Sequence, residues 1–251
     1  VNEAELEERR AQMGQSCLFF VANNPRALGG QGPGYWFALS GAPSPDLNAA
    51  FLDSSDEATA AQVLREVETA GFPTLFMLAG EAQGFDLGGR WQHMGAMPFM
   101  VRALDGAELR PDERVRRAGI EDFETFGELS SQAFGLGRDI VEVITASLDP
   151  KDEATKIWLL IEGGVAVSTV LTSLVDDTVC VWCMATPERF SRRGYGRAIL
   201  ADALLRARSD GASLGLLGAT PAGKALYDAT GWTTLEDWQI YTNAASAQLE
   251  G

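Results

Sequence analysis

The sequence predicts an α/β protein, α+β in the layering of its parts, built as two tandem domains that each carry a mixed central sheet flanked by helices. Three observations lead there. At 251 residues the chain can supply two domains of roughly 110 to 140 residues, each with a core of its own. A helix–strand–helix–strand order runs through it twice at nearly the same spacing. One strand-to-helix junction in the second half is rich in glycine and arginine although the chain as a whole is acidic.

In the first half, strands are expected at Leu18–Ala22, Tyr35–Leu39 and Leu47–Leu52. Ala60, Val63, Leu64 and Val67 recur at helical spacing over Glu57–Ala70, and Gly71 then ends that helix. A strand Thr74–Leu78, a short segment to Arg90-Trp91 and a closing strand Met97–Arg102 follow. The stretch Asp105–Pro111 is polar and holds Gly106 and Pro111, which sets the domains at 1–107 and 108–251.

The second half opens with a strand Arg114–Ala118, helices Glu121–Phe134 and Ile140–Leu148, and a strand Thr155–Ile161. Strands Val165–Leu174 and Val179–Met184 form a hairpin across Asp176-Asp177. Ile199, Leu200, Ala203, Leu204 and Ala207 mark a helix over Arg197–Arg208, and Gly211 ends it. A strand Ser213–Leu217, a short helix to Gly231-Trp232 and a closing strand Trp238–Thr242 complete the repeat. In the first half the turn that matches the glycine-rich junction is Asp53-Ser54-Ser55-Asp56. It has no paired glycines and two acids, which would repel a polyphosphate.

Composition excludes several classes of function. A net charge of −15 speaks against nucleic acid as the main ligand, which needs a basic face, and mildly favours a cationic substrate. No apolar run approaches the ~20 residues needed to span a bilayer, so no membrane role is expected. Val1 to Gln12 carries four Glu and two Arg where a secretory signal would have an apolar core, which points to the cytoplasm. Cys180 and Cys183 form a C-x-x-C, but within a strand their side chains face opposite ways and no second Cys/His pair accompanies them. They read as core cysteines, no metal site is expected, and His93, the sole histidine, has no nucleophile signature beside it.

The segment with chemical content is Met184-Ala-Thr-Pro-Glu-Arg-Phe-Ser-Arg-Arg-Gly-Tyr-Gly-Arg-Ala-Ile-Leu200. A strand enters a turn whose glycines permit close backbone approach, and the turn feeds a helix N-terminus, where free N–H groups and the helix dipole favour an anion. Arg189, Arg192, Arg193 and Arg197 cluster there, as a polyphosphate ligand would require.

This segment resembles the acetyl-CoA-binding motif of the GNAT superfamily of N-acetyltransferases, Gln or Arg, two residues, Gly, one residue, Gly or Ala. Gly194 and Gly196 match, whereas Ser191 stands at the Gln/Arg position. Ala225-Leu-Tyr-Asp-Ala-Thr-Gly-Trp232 is similar to the family's fourth-helix signature. The resemblance covers about half the chain with specific motifs, and the first half only as a degenerate copy without the cofactor turn. It implies direct transfer of the acetyl group of acetyl-CoA to a primary amine, with no acyl-enzyme. The pyrophosphate would lie on Ser191, Arg192, Arg193, Gly194, Tyr195, Gly196 and Arg197, and the main chain of Cys183, Met184, Ala185 and Thr186 would hold the pantetheine arm. It places Tyr227 beside the leaving thiolate as general acid. No general base is assigned, because Val179 to Thr186 holds no carboxylate. The acceptor, a small-molecule or peptide amine, is unspecified, and homodimerisation is left open.

Two rival readings are weighed. Gly218-Ala-Thr-Pro-Ala-Gly-Lys224 fits the phosphate-binding pattern G-x-x-x-x-G-K, but Ala225 replaces the magnesium-binding hydroxyl and Pro221 removes a backbone donor. It reads as a chance match. The stronger rival is a catalytically inactive acyl-CoA-binding or interaction module with the same fold.

Overall fold

The computed structural model describes residues 2–106, 109–135, 143, 145–146, 148–149 and 151–244. Two compact units result, each discontinuous in sequence. The first holds Val1–Met100, Gly218–Lys224 and Thr234–Gly251, and the second holds Val101–Leu217 and Ala225–Thr233. Among the described residues no helix is long and apolar enough to cross a membrane.

The first unit opens with helix α1 (Glu3–Phe19), where a strand was expected at Leu18–Ala22. A capping box starts it: Asn2 Oδ1 accepts from the Glu5 amide at 3.0 Å, and Glu5 Oε2 accepts from the Asn2 amide at 2.9 Å. Leu18 and Phe19 are therefore a helix end. The buried positions Arg10, Met13, Gly14 and Cys17 do have helical spacing, but an arginine and a glycine at two of them conceal the apolar stripe. Gly14 is required where it stands, since a Cβ would lie 2.4 Å from the Trp36 ring.

Strands β1 (Leu28–Gly32), β2 (Tyr35–Leu39) and β3 (Asn48–Leu52) form an antiparallel meander. The first of these escapes a sequence reading because three of its five residues are glycine. Helix α2 (Glu57–Ala70) then leads to β4 (Leu75–Leu78), parallel to β3, and the chain continues into β5 (Gln92–Ala103). Val63 and Val67 of α2 pack with Leu39, Leu52, Phe76 and Leu78 in the core. The last strand, β11 (Thr233–Thr242), pairs antiparallel with β4, so the sheet order in this unit is β1-β2-β3-β4-β11-β5.

The second unit has β6 (Val115–Arg117), α3 (Phe123–Phe134), β7 (Thr155–Glu162), β8 (Val165–Val175), β9 (Thr178–Ala185), α4 (Tyr195–Ser209) and β10 (Leu214–Gly218), followed by the short helix α5 (Pro221–Asp228). The helix expected over Ile140–Leu148 falls largely outside the described residues. Its sheet runs β10-β9-β8-β7-β6, antiparallel except for the parallel pair β9 and β10. Asp176 at φ +51° makes the tight turn of the β8–β9 hairpin, a conformation aspartate tolerates better than most residues. Ile199, Leu200, Ala203 and Leu204 seat α4 on the sheet and are all fully buried. Each unit is thus a mixed sheet flanked by helices, as the sequence predicts.

Candidate active site

The site begins where β9 loses its regularity. Residue Leu171 of β8 stands opposite Trp182, and Thr169 stands opposite Ala185, so Cys183 and Met184 together face the single residue Val170. This is a β-bulge, and Cys183 takes φ +45° within it. On the other side of β9, the parallel ladder with β10 holds the pairs Leu214–Thr178, Gly215–Val179 and Leu216–Cys180 and stops there, ahead of the bulge. The strand therefore carries a kinked end, from Cys183 to Ala185, past the last β10 pair.

From Ala185 the chain passes through Thr186, Pro187 and a single 3₁₀ turn, Glu188–Phe190, into the arginine-glycine segment. Arg192 at φ +63° and Gly194 at φ +82° swing the backbone into the start of α4. Glycine serves at 194 because a side chain there would be strained by the backbone conformation. The N-cap residue, Gly194, has no side chain to cap this helix, and among the described residues no other side chain is seen capping its first-turn N–H groups. Gly196 has a different reason. A Cβ there would come within 3.2 Å of Met184 Cε and 3.4 Å of Thr186 Oγ1, so glycine allows the first turn of α4 to settle against the end of β9.

The charge is distributed unevenly. Arg114, Arg116 and Arg117 are each paired with a carboxylate. Arg192, Arg193 and Arg197 are exposed and, among the described residues, have no acidic partner. In a chain of net charge −15, three uncompensated cations around an uncapped helix N-terminus concentrate positive potential at one place. Arg189 is held differently: its guanidinium donates to Gln132 Oε1 on α3 and lies 4.5 Å over the Phe190 ring.

Tyr227, on α5, is 8% exposed, and its hydroxyl lies 3.8 Å from Met184 Sδ at the bulge. Burial pushes its pKa up to about 12, so the phenol stays protonated through the neutral range. The Trp232 ring meets it edge-on at 5.8 Å, and that indole packs so closely on β10 that a Cβ on Gly215 would be 2.9 Å from it. Met184 thus links the two halves of the site, with its methyl group at the first turn of α4 and its sulfur at the Tyr227 hydroxyl.

No family model matches the sequence, and no curated protein matches it. Solved structures do match. A GCN5-related N-acetyltransferase from Kribbella flavida superposes with a TM-score of 0.68 at 15% identity, over 95% of this chain and 96% of that one. The fold is that of the GCN5-related N-acetyltransferases. A second member of that name from Sphaerobacter thermophilus aligns over 83% of this chain and 76% of its own, with a TM-score of 0.56 at 13% identity. A conserved protein of unknown function from Staphylococcus epidermidis gives 0.59 at 12% identity, over 85% and 91% of the two chains.

Within this acetyltransferase fold, Cys183 to Thr186 form the bulged strand end, Ser191 to Arg197 the turn and helix start, and Tyr227 approaches both through Met184. Cys180 is fully buried, whereas Cys183 is half-buried, as are Trp182 and Met184 beside it, past the last β10 pair. Among the described residues no group of three His, Cys, Asp or Glu side chains gathers as metal ligands. In Gly218–Lys224, Thr220 Oγ1 accepts from the Gly223 amide at 3.1 Å, so the segment caps its own helix. Sequence reasoning missed Gln132, which holds Arg189, and the buried Ser168 behind Thr186. Neither carries a signal that periodicity or motif spacing could detect.

Proposed function

We propose that the second unit is an N-acetyltransferase that transfers the acetyl group of acetyl-CoA to a primary amine. The observation that carries this reading is the uncapped, glycine-initiated N-terminus of α4 with three unpaired arginines, set directly behind a bulged strand end that faces a buried tyrosine. A helix start of this kind favours a pyrophosphate. The bulge presents main-chain groups suited to a thioester carbonyl, and Tyr227 supplies a proton beside a position already held by sulfur.

The chemistry is then direct. The amine nitrogen attacks the thioester carbonyl carbon, main-chain donors at the bulge stabilise the oxyanion, and the C–S bond breaks as Tyr227 gives its proton to the departing sulfur. The amine loses a proton to solvent, and the tyrosinate is reprotonated from the same source. The acidic chain favours a small cationic acceptor in the cytoplasm. The first half is read as a degenerate copy of the same module, with the boundary between copies at Asp105–Pro111. Absence of a carboxylate on β9 supports a second reading, a module that binds acyl-CoA without turning it over.

Calorimetry with acetyl-CoA on the native protein and on Gly194→Asp tests the site. The variant adds a side chain at φ +82° and a negative charge where the pyrophosphate would lie. Loss of binding with an unchanged circular dichroism spectrum is the expected result, and equal affinity refutes the site. A screen of amines with thiol-release detection separates the two readings, because a binding module releases no thiol with any of them.

A further inference from the structure

Ser168 sits in the middle of β8 at 0% exposure, a costly position for a hydroxyl without partners. Its neighbour Thr169 turns its hydroxyl to a strand carbonyl, that of Trp158, at 2.9 Å. Ser168 makes two contacts instead, to the Ala185 carbonyl at 3.0 Å and to Thr186 Oγ1 at 2.8 Å. A serine has one proton, and a carbonyl can only accept. The Ser168 proton therefore goes to Ala185, and Thr186 is the donor in the second contact. With its own proton committed to Ser168, Thr186 presents only lone pairs elsewhere.

Those lone pairs lie in a donor-rich place. Thr186 is half-buried, and its oxygen is 3.4 Å from the Cβ position of Gly196, beside the free N–H groups of the first turn of α4 and the arginines that flank it. Everything else presented there suits phosphate oxygens, and Thr186 Oγ1 suits an N–H. A ligand that combines phosphates with an amide arm matches both, whereas a simple nucleotide matches only the first. We infer that the Thr186 side chain accepts a hydrogen bond from an amide N–H of the pantetheine arm, and that Ser168 is the positioning residue that keeps Thr186 an acceptor. This rests on the acetyl-CoA reading of the site and adds a device by which the site distinguishes coenzyme A from other polyphosphates.

The test is calorimetry with two probes, coenzyme A and adenosine 3′,5′-bisphosphate, which lacks the arm. Thr186→Val keeps the shape and removes the hydroxyl. It should weaken coenzyme A by about 2- to 12-fold, the range of one net hydrogen bond, and leave the bisphosphate unchanged. Thr186→Ser should restore the affinity. Ser168→Ala, which frees the Thr186 proton, should weaken coenzyme A in the same direction by a smaller factor, again without effect on the bisphosphate. Equal coenzyme A affinity in Thr186→Val, or an equal loss for both probes, overturns the inference, the latter because Thr186 would then only shape the turn. If the native protein binds neither probe, the acetyltransferase reading falls and takes the inference with it. Binding of both by the native protein with no response to Thr186 isolates failure of the inference alone.

Discussion

Removal of the Tyr227 hydroxyl separates catalysis from packing. The ring sits between Met184 and Trp232, and Tyr227→Phe keeps all of that contact. The hydroxyl's hydrogen bond is to a thioether sulfur at 3.8 Å, a weak acceptor that loses little when the donor goes. The expected change in stability is below about 1 kcal/mol, a shift in Tm of under about 4 °C. General acid catalysis is worth about 10²- to 10⁴-fold, so kcat should fall by that factor, about 3 to 5 kcal/mol of barrier, with affinity for acetyl-CoA preserved. Thiol release measured against pH adds a second check. Because burial pushes the phenol up to about 12, it stays protonated to pH 10, and the native kcat should show no alkaline limb from this group below about pH 11. Full turnover by the phenylalanine variant would refute the acid role, whereas an alkaline fall between pH 8 and 10 that vanishes with the hydroxyl would keep that role and refute the raised pKa in the working enzyme.

Other predictions follow from the same contrasts. Arg192→Ala combined with Arg193→Ala should weaken coenzyme A and reduce the salt dependence of its binding, which titrations at two ionic strengths would reveal; an unchanged salt slope would place the phosphates elsewhere. Lys224→Ala should leave coenzyme A binding intact and create no difference with ATP and magnesium, because Thr220 already caps that helix. Since the folded-state pKa of Tyr227 is raised, its contribution to stability is complete below the unfolded value of ~10 and lost as pH rises through about 12. Denaturant midpoints of the native protein should therefore fall more than those of Tyr227→Phe above pH 10. Arg10→Leu should cost about 3 to 5 kcal/mol, because it leaves the carboxylates of Glu236, Asp53 and Glu3 facing one another without their cation. A Tm drop of about 6 to 20 °C is expected, and one under 3 °C would show that the cluster is solvated.

The second unit was legible in the sequence because each signal there is local. The apolar run within Thr155–Ile161, the Asp176-Asp177 turn and the apolar stripe of α4 all fall within windows of ten residues or so, and the structure extends the two elements by only one or two positions at an end. The first unit was harder for reasons that lie in particular side chains. Helix α1 buries Arg10, whose partners Asp53 and Glu236 are 43 and 226 residues away, and no local window contains them. Strand β1 is held by β2 rather than by its own glycine-rich residues. Within the site, the glycines and arginines announced the turn, but the bulge at Cys183 depends on the register with β8 and could not be read from β9 alone.

Both units contain the order strand, turn, helix, parallel strand, and the two strand-to-helix junctions differ in the features that bear on holding an anion. In the first, β3 and β4 pair residue for residue from Ala49–Leu75 to Leu52–Leu78, and the Ala79 amide extends the ladder by donating to the Leu52 carbonyl at 3.0 Å. Helix α2 is closed by its own sequence, since Asp56 accepts from the Thr59 amide at 3.0 Å. The cleft beside that turn, about 810 Å³, is lined by Glu3, Glu7, Glu8, Asp53 and Glu81, and the cation within it is the protein's own Arg10. Arg10 is held there by Glu3, Asp53 and Glu236, and the acidic lining is of the wrong sign for phosphate. In the second unit each of these features is reversed: the ladder stops at Leu216–Cys180, the strand bulges, the helix starts on a glycine with no cap of its own, and Arg192, Arg193 and Arg197 have no carboxylate partner among the described residues. Unsatisfied groups of this kind are a standing cost to folding unless solvent or a ligand meets them. Their concentration at one junction, in a chain whose other strand-to-helix turn carries its own Asp56 cap, is what a binding site requires and a purely structural turn does not.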